Sequence, residues 1–163
     1  MKIALVIGTR PEAIKLAPVA RQLIEAGGEA PTIIGTGQQK EMLPQTLDEF
    51  GLGVDVDLSV MQDDQTLAEL TARLATRLDR AIGDLAPDWT IVQGDTTSAM
   101  VGALCSFYRR MRVAHVEAGM RTNNRYSPFP EEVNRRIITQ CATVTFKLLP
   151  PLRSIISWTV PLP

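Results

Sequence analysis

Short apolar runs alternate along the chain with longer stretches in which apolar residues recur at every third or fourth position. The short runs predict brief buried strands at residues 2–7, 31–34, 89–93, 113–116 and 142–146. The longer stretches predict helices at residues 11–25, 39–50, 65–85, 97–109 and 130–140. Residues 54–60 alternate apolar and acidic positions, a pattern that fits either an edge strand or an extended loop.

The alternation of strands with helices predicts an α/β fold. Helical connections make consecutive strands pair in parallel through right-handed crossovers, and the helices cover both faces of the sheet. An open parallel sheet of this kind binds its ligands beyond the carboxyl ends of the strands. The chain has 163 residues, the length of one domain. We therefore expect functional residues in the loops that lead from strands into helices.

The charge balance excludes two classes of partner. Lys and Arg total 17 against 18 Asp and Glu, so the net charge is -1, and aromatic residues make up 5%. Such a chain has neither the basic surface that binds nucleic acid or an anionic membrane nor the aromatic content for stacking bases. The charges are uneven, because the residues after Glu132 include four basic and no acidic side chains.

The cysteines and the single histidine bear on metal binding and on location. Cys105, Cys141 and His115 lie too far apart in sequence for a metal-binding motif, so we expect no metal site and two reduced thiols in a cytoplasmic protein. The N-terminal apolar run is shorter than that of a signal peptide. No apolar run approaches the roughly 18 residues of a membrane span.

The loop after the first predicted strand combines a helix start with two cations. Thr9 and Glu12 have the spacing of a capping box, and Gly8 would allow a ligand to approach the backbone closely. Arg10 and Lys15 add positive charge beside a helix N-terminus, which itself favours anions. The alternative is a well-capped helix with two solvated cations. The loop lacks the GxGxxG pattern of nicotinamide and flavin sites, so we expect no such cofactor.

Three carboxylates are predicted at the same edge of the sheet. Asp95 follows the strand at 89–93, Glu117 follows the strand at 113–116, and Glu131 opens the last predicted helix. Taken singly, Asp95 is explained by helix capping and Glu131 by the helix dipole. Together, and close to the cationic helix start, they fit proton transfer on a phosphorylated or nucleotide-linked substrate.

Four motifs in these loops occur in the order found in one enzyme family. They are GTRPEAIK at 8–15, GDTT at 94–97, HVEAG with Arg121 at 115–121, and PEE with Asn134 and Arg135 at 130–135. Through them residues 1–146 resemble the N-terminal half of bacterial non-hydrolysing UDP-N-acetylglucosamine 2-epimerases. The resemblance implies the N-terminal half of a glycosyltransferase-B-like fold, in which two Rossmann-like domains enclose the substrate.

The resemblance also implies a reaction and roles for the site residues. The family converts UDP-N-acetylglucosamine into UDP-N-acetylmannosamine by eliminating UDP and adding it back, without an external redox cofactor. By position, Asp95, Glu117 and Glu131 are the acid and base candidates, with Asp95 and Glu131 assigned to the protons at C2. Arg10 and Lys15 are candidate contacts to the substrate or its pyrophosphate. The resemblance further implies a homodimer for full-length members.

The sequence departs from the family in two places. Residues 38–40 read Gln-Gln-Lys where members regulated by a second substrate molecule carry Gln-His-Arg, so we expect such regulation to be lost. Residues 147–163 match nothing in the family, and we regard them as an atypical tail. The second domain that family members carry is absent from this sequence. We therefore expect the isolated chain to be inactive. The alternatives are a stand-alone nucleotide-sugar-binding module and an oligomerisation module.

Overall fold

A computed structural model describes residues 1–38 and 42–147 as one α/β layer structure. Its strands are β1 (Ile3–Ile7), β2 (Thr32–Gly35), β3 (Val56–Asp57), β4 (Trp89–Gln93), β5 (Arg112–Val116) and β6 (Val144–Phe146). Its helices are α1 (Arg10–Glu25), α2 (Met42–Asp48), α3 (Leu67–Leu85), α4 (Thr97–Tyr108) and α5 (Glu131–Cys141). Strands and helices alternate throughout, as the sequence predicts.

The six strands form one parallel sheet in the order β3-β2-β1-β4-β5-β6. β1 pairs with β2 on one side and with β4 on the other, so the direction of winding reverses at this strand. In open parallel sheets a crevice for ligands lies at such a reversal, beyond the carboxyl ends of the strands. The predicted α/β fold is confirmed, and the loops after β1, β4 and β5 meet at this edge.

Each face of the sheet packs against its own helices. Leu5 and Ile7 in β1 are fully buried in a cluster with α1 and α2, whereas Ala4 and Val6 belong to a cluster with α3, α4 and α5. The alternation follows from the strand geometry, since successive side chains point to opposite faces. A Cβ on Gly102 would lie only 3.1 Å from Val6, so this glycine lets α4 approach β1 closely.

The predicted elements agree with the structure to within a few residues. The segment at 54–60 is resolved in favour of an edge strand, of which only Val56–Asp57 pairs with β2. The predicted helix at 39–50 is described from Met42 onward, because residues 39–41 lie outside the described ranges. Of the tail at 147–163 only Lys147 is described. Within the described ranges no helix is long and apolar enough to cross a membrane.

Candidate active site

The start of α1 is built around a buried carboxylate. The Glu12 side chain is 1% exposed and accepts hydrogen bonds from the N–H groups of Gly8 at 2.6 Å and Thr9 at 2.7 Å. The hydroxyl of Thr96 donates to the other carboxylate oxygen at 2.6 Å. Burial raises the pKa of Glu12, against the lowering effect of these hydrogen bonds. The predicted capping box is therefore present, and Glu12 also joins the loop after β1 to the loop after β4.

This arrangement changes the interpretation of Gly8. A Cβ at this position would lie 2.6 Å from Ser98 Oγ and 2.8 Å from Thr36 Oγ1. Within the chain, the close approach that Gly8 permits is thus to these two side chains, and the approach of a ligand to its backbone stays a prediction. The backbone donors of Gly8 and Thr9 are occupied by Glu12 as well. An anion at this edge would be bound mainly by side chains.

Lys15 and Glu117, predicted separately, lie together in the structure. The Lys15 ammonium donates to Glu117 Oε2, and the side-chain amide of Gln93 donates to the same oxygen. The Lys15 side chain is 43% exposed and that of Glu117 is 14% exposed. Glu117 adopts the left-handed region, with φ of 64°, directly after β5. The predicted substrate contact Lys15 and the predicted acid or base Glu117 therefore form one ion pair. Gln93, at the end of the neighbouring strand β4, orients the carboxylate of this pair.

Asp95 is held by the helix that Glu131 opens. The buried guanidinium of Arg135, only 3% exposed, donates to Asp95 Oδ2 and to Glu132 Oε2, the latter at 3.3 Å. The side-chain amide of Asn134 donates to the carbonyl of Asp95 at 2.9 Å. The loop after β4 is thus fixed to α5 by side chain and backbone together.

Glu132 and Glu131 are neighbours with different surroundings. Glu132 is fully buried and accepts from the N–H of Thr122 at 3.0 Å and from Arg136 Nε at 2.9 Å. The backbone donor and then the guanidinium lower the pKa of Glu132. Glu131, in contrast, has its Oε2 buried without a hydrogen-bond partner among the described residues. Glu132 thus serves the structure of this loop, whereas one carboxyl oxygen of Glu131 is buried without a hydrogen-bond partner among the described residues.

His115 supports the same edge from inside β5. It is fully buried, and burial lowers its pKa to about 4, so the ring is neutral near pH 7. Its Nε2 lies 2.7 Å from the carbonyl of Gly94, to which the neutral ring donates. The N–H of Gly94 in turn donates to the carbonyl of Val116 at 2.9 Å. The histidine therefore fixes the turn that carries Asp95.

The structure thus brings together some predicted site residues and adds others. Lys15 joins Glu117, Asp95 joins the helix begun by Glu131, and Arg10 lies exposed as the first residue of α1. Sequence reasoning missed the buried supports, which are Gln93, His115, Asn134 and Arg135. The last three were visible only as members of motifs, and nothing in their spacing indicates which partner each one contacts.

Two further predictions concern this edge. Among residues 1–38 and 42–147, no three His, Cys, Asp or Glu side chains are grouped as metal ligands. In the segment at 38–40, the Ser98 hydroxyl donates to Gln38 Oε1 at 2.9 Å, and residues 39 and 40 lie outside the described ranges. The loss of regulation by substrate stays a prediction.

Comparison with known proteins places these motifs in context. A sequence profile described as UDP-N-acetylglucosamine 2-epimerase matches residues 22–153. The UDP-N-acetylglucosamine 2-epimerase of Bacillus subtilis is 45% identical over 146 residues, covering 90% of this chain and 38% of the relative. That of Escherichia coli is 42% identical over 146 residues, covering 90% and 39%. The chain therefore spans about two fifths of the length of these relatives.

Solved structures agree with the sequence comparison. The Neisseria meningitidis UDP-GlcNAc 2-epimerase bound to UDP-GlcNAc superposes with a TM-score of 0.86 at 41% identity, covering 90% of this chain and 40% of that one. The MurG protein of Acinetobacter baumannii superposes with a TM-score of 0.64 at 15% identity. The second likeness is one of fold alone. It shows that the sheet and its helices match the N-terminal half of a glycosyltransferase-B-like fold.

Proposed function

Because the chain belongs to the UDP-N-acetylglucosamine 2-epimerase family, we propose that it supplies the N-terminal half of an active site that converts UDP-N-acetylglucosamine into UDP-N-acetylmannosamine. The observation that carries the proposal is the clustering at one sheet edge of the Lys15–Glu117 pair and the Asp95–Arg135 pair. Cations beside carboxylates suit a reaction that moves a proton near a departing diphosphate.

The chemistry explains why several carboxylates are needed. No carbonyl adjoins C2 of the sugar, so its proton is not acidic enough for direct exchange. In the proposed route a base removes the C2 proton while the C1–O bond breaks with its electron pair going to UDP, which leaves a C1–C2 double bond. An acid then protonates C2 from the opposite face, and UDP adds back at C1. The enzyme thus needs proton-transfer groups on two faces and positive charge near the diphosphate.

The contacts suggest how these roles are divided. Asp95 accepts a hydrogen bond from the buried Arg135 guanidinium, which fixes the position of its carboxyl group at the sheet edge, and we assign the removal of the proton to it. Glu131 has a buried carboxyl oxygen without a partner among the described residues, so it suits the opposite transfer. In the reverse reaction the two roles exchange. Glu117, paired with Lys15, is the third proton-transfer candidate.

Arg10 and Lys15 would contact the substrate or its diphosphate. Both lie at the start of α1, on the edge where the carboxylates gather, and the Lys15 side chain is 43% exposed. A diphosphate that binds here would compete with Glu117 for the Lys15 ammonium, and would thereby release the carboxylate for proton transfer. In family members the substrate lies between two domains, so we expect the isolated chain to be inactive.

A chimera tests the proposal directly. Residues 1–146 of this chain would replace the 146 matched residues of the Bacillus subtilis relative, which is 45% identical over that region. We expect the chimera to epimerise UDP-N-acetylglucosamine and, in D2O, to place deuterium at C2 of the product. Asp95→Asn, Glu117→Gln and Glu131→Gln should each lower kcat by about a hundredfold or more.

The matched control is Asp84→Asn in the same chimera. The Asp84 side chain is 78% exposed and lies on α3, so its loss should leave kcat unchanged. A folded chimera that is inactive, or one in which the three site variants retain full kcat, would refute the proposal. An inactive chimera together with tight binding of UDP-N-acetylglucosamine by the isolated chain would instead support a nucleotide-sugar-binding module.

A further inference from the structure

Asp95 is held by its backbone as well as by its side chain. The peptide group that follows it is fixed by Asn134, whose side-chain amide donates to the Asp95 carbonyl at 2.9 Å. The peptide group that precedes it contains the carbonyl of Gly94, which lies 2.7 Å from His115 Nε2. Because a peptide group is planar and rigid, a hydrogen bond to the Gly94 carbonyl also orients the N–H of Asp95 and places its Cα. The direction of the Asp95 side chain therefore depends on His115.

Gly94 depends on hydrogen bonds for its conformation. Its φ is 72°, in the left-handed region, and a Cβ added here would meet nothing within 4 Å. A glycine in open space is not restrained by steric contacts. Its N–H donates to the carbonyl of Val116 at 2.9 Å, and its carbonyl accepts from His115. β5 thus supplies a backbone partner on one side of Gly94 and a side-chain partner on the other.

The contact to Gly94 is the one hydrogen bond that the His115 ring makes among the described residues. The ring is fully buried, and burial lowers its pKa to about 4, so it carries a single proton near pH 7. A carbonyl can only accept, so that proton is on Nε2. Nδ1 is buried without a partner among the described residues. An apolar side chain of similar volume would fill this space without leaving a polar atom unpaired, so packing alone does not account for a histidine here.

We propose that His115 is a positioning residue for Asp95, and that through the Gly94 carbonyl it sets the direction in which the Asp95 carboxylate meets the substrate. The inference rests on the proposed function, in which Asp95 removes the proton at C2. His115 is fully buried, so it acts through Asp95 and not on the substrate itself. Proton transfer requires aligned partners within hydrogen-bonding distance, and a displacement of about 1 Å can lower the rate about a hundredfold. A contact made inside the fold therefore determines kcat.

Nuclear magnetic resonance on the full chain tests the contact between His115 and Gly94. At pH 7 the nitrogen-15 resonances of the ring should show a neutral imidazole with its proton on Nε2. His115→Leu should move the carbon-13 resonance of the Gly94 carbonyl upfield, because the carbonyl loses its donor. His115→Gln should largely preserve that resonance, since the glutamine amide can still donate. A proton on Nδ1, or a Gly94 resonance that His115→Leu leaves in place, would overturn the proposal without reference to epimerase activity.

The effect on catalysis is tested in the chimera that carries residues 1–146 of this chain. His115→Leu should lower kcat about tenfold or more and change KM less than about twofold, whereas His115→Gln should keep kcat within about threefold. In an Asp95→Asn background His115→Leu should lower kcat no further, because a residue that acts through the Asp95 carboxylate then has nothing to position.

Thr90→Val is the matched control for the loss of a buried hydrogen bond. Thr90 lies in β4, the strand that leads to Gly94, and is fully buried, and its hydroxyl accepts from that of Ser106 at 2.8 Å. Its replacement should lower the free energy of unfolding and leave kcat and the Gly94 carbonyl resonance unchanged. If His115→Leu does not fold, His115→Asn takes its place, because asparagine carries the amide of glutamine on a side chain too short to reach Gly94.

The outcomes separate this inference from the proposed function. An equal loss of kcat from His115→Leu in the native and the Asp95→Asn backgrounds would make His115 a merely structural residue and overturn the inference. An active chimera that keeps full kcat after His115→Leu would refute the inference alone. A folded chimera that is inactive before any substitution would refute the proposed function, and the inference with it.

Discussion

The hydroxyl of Thr96 donates a hydrogen bond to the carboxylate of Glu12 at 2.6 Å, across a sequence separation of 84 residues. The same hydroxyl accepts from the N–H of Ala99 at 3.0 Å and so caps α4. One side chain therefore serves as the cap of α4 and as a partner of the carboxylate that caps α1. The two loops at the centre of the sheet edge are aligned by this contact.

Glu12→Ala should destabilise the protein by about 3 kcal/mol, because it leaves buried donors at Gly8 and Thr9 without an acceptor. Chemical denaturation would measure the loss. Glu69→Ala is the matched control, since Glu69 forms the same capping box with Thr66 at an exposed helix start. Glu69→Ala should lower the free energy of unfolding clearly less than Glu12→Ala does. Equal losses in the two variants would contradict a special role for the buried carboxylate.

Gly8→Ala should lower the free energy of unfolding by about 2 kcal/mol, because the added methyl group overpacks the site. Its Cβ would lie 2.6 Å from Ser98 Oγ and 2.8 Å from Thr36 Oγ1. Gly53→Ala provides the comparison, since a Cβ there meets nothing within 4 Å. Thermal and denaturant unfolding of both variants would decide the point. An unchanged free energy of unfolding in Gly8→Ala would show that the loop shifts to accommodate the added methyl group at no cost.

The sequence predicts the fold far better than the contacts of the site. Strands and helices follow from local periodicity, and parallel pairing then places Asp95, Glu117 and Glu131 at one edge. Which cation meets which carboxylate depends on side chains from remote segments. Lys15 could not be matched to Glu117 from sequence spacing, and the burial of Arg135 beneath Asp95 follows from how α5 packs.

Acidification should destabilise the native state through His115. Its pKa is lowered to about 4 by burial, whereas the unfolded chain titrates near 6.5, so the unfolded state binds the proton first as the pH falls. Stability contributed by the neutral ring is complete above pH 6.5 and is lost between pH 6.5 and 4. Between pH 7 and 5 the loss should be about 2 kcal/mol.

His115→Gln isolates this effect, since glutamine does not titrate and can still donate to the Gly94 carbonyl. Its free energy of unfolding should fall less steeply between pH 7 and 5 than that of the unaltered protein. The comparison is made by denaturant titration at each pH. Parallel pH profiles for the two proteins would show that His115 is protonated without penalty.

Cys105 should be unreactive toward thiol reagents in the native protein. Burial, assisted by the nearby charge of Asp79, raises the pKa of its thiol to about 11, and the residue is 4% exposed. At pH 8 the thiolate that attacks a disulfide reagent is therefore scarce. Titration of Cys141→Ser with 5,5′-dithiobis(2-nitrobenzoate) should show modification only after denaturant is added. Rapid native labelling would contradict this, and Cys105→Ser reports Cys141 separately.

The strand order also determines when the site can form during synthesis. β1 pairs with β4, which joins Ile3 to Trp89, and the Lys15–Glu117 contact spans 102 residues. Such distant pairings make folding slow compared with helical proteins of similar size. On the ribosome the first helix, with its cations, emerges long before its carboxylate partners. The Lys15–Glu117 pair cannot form until Glu117 has left the exit tunnel. The Asp95–Arg135 pair must wait until Arg135 has left it as well.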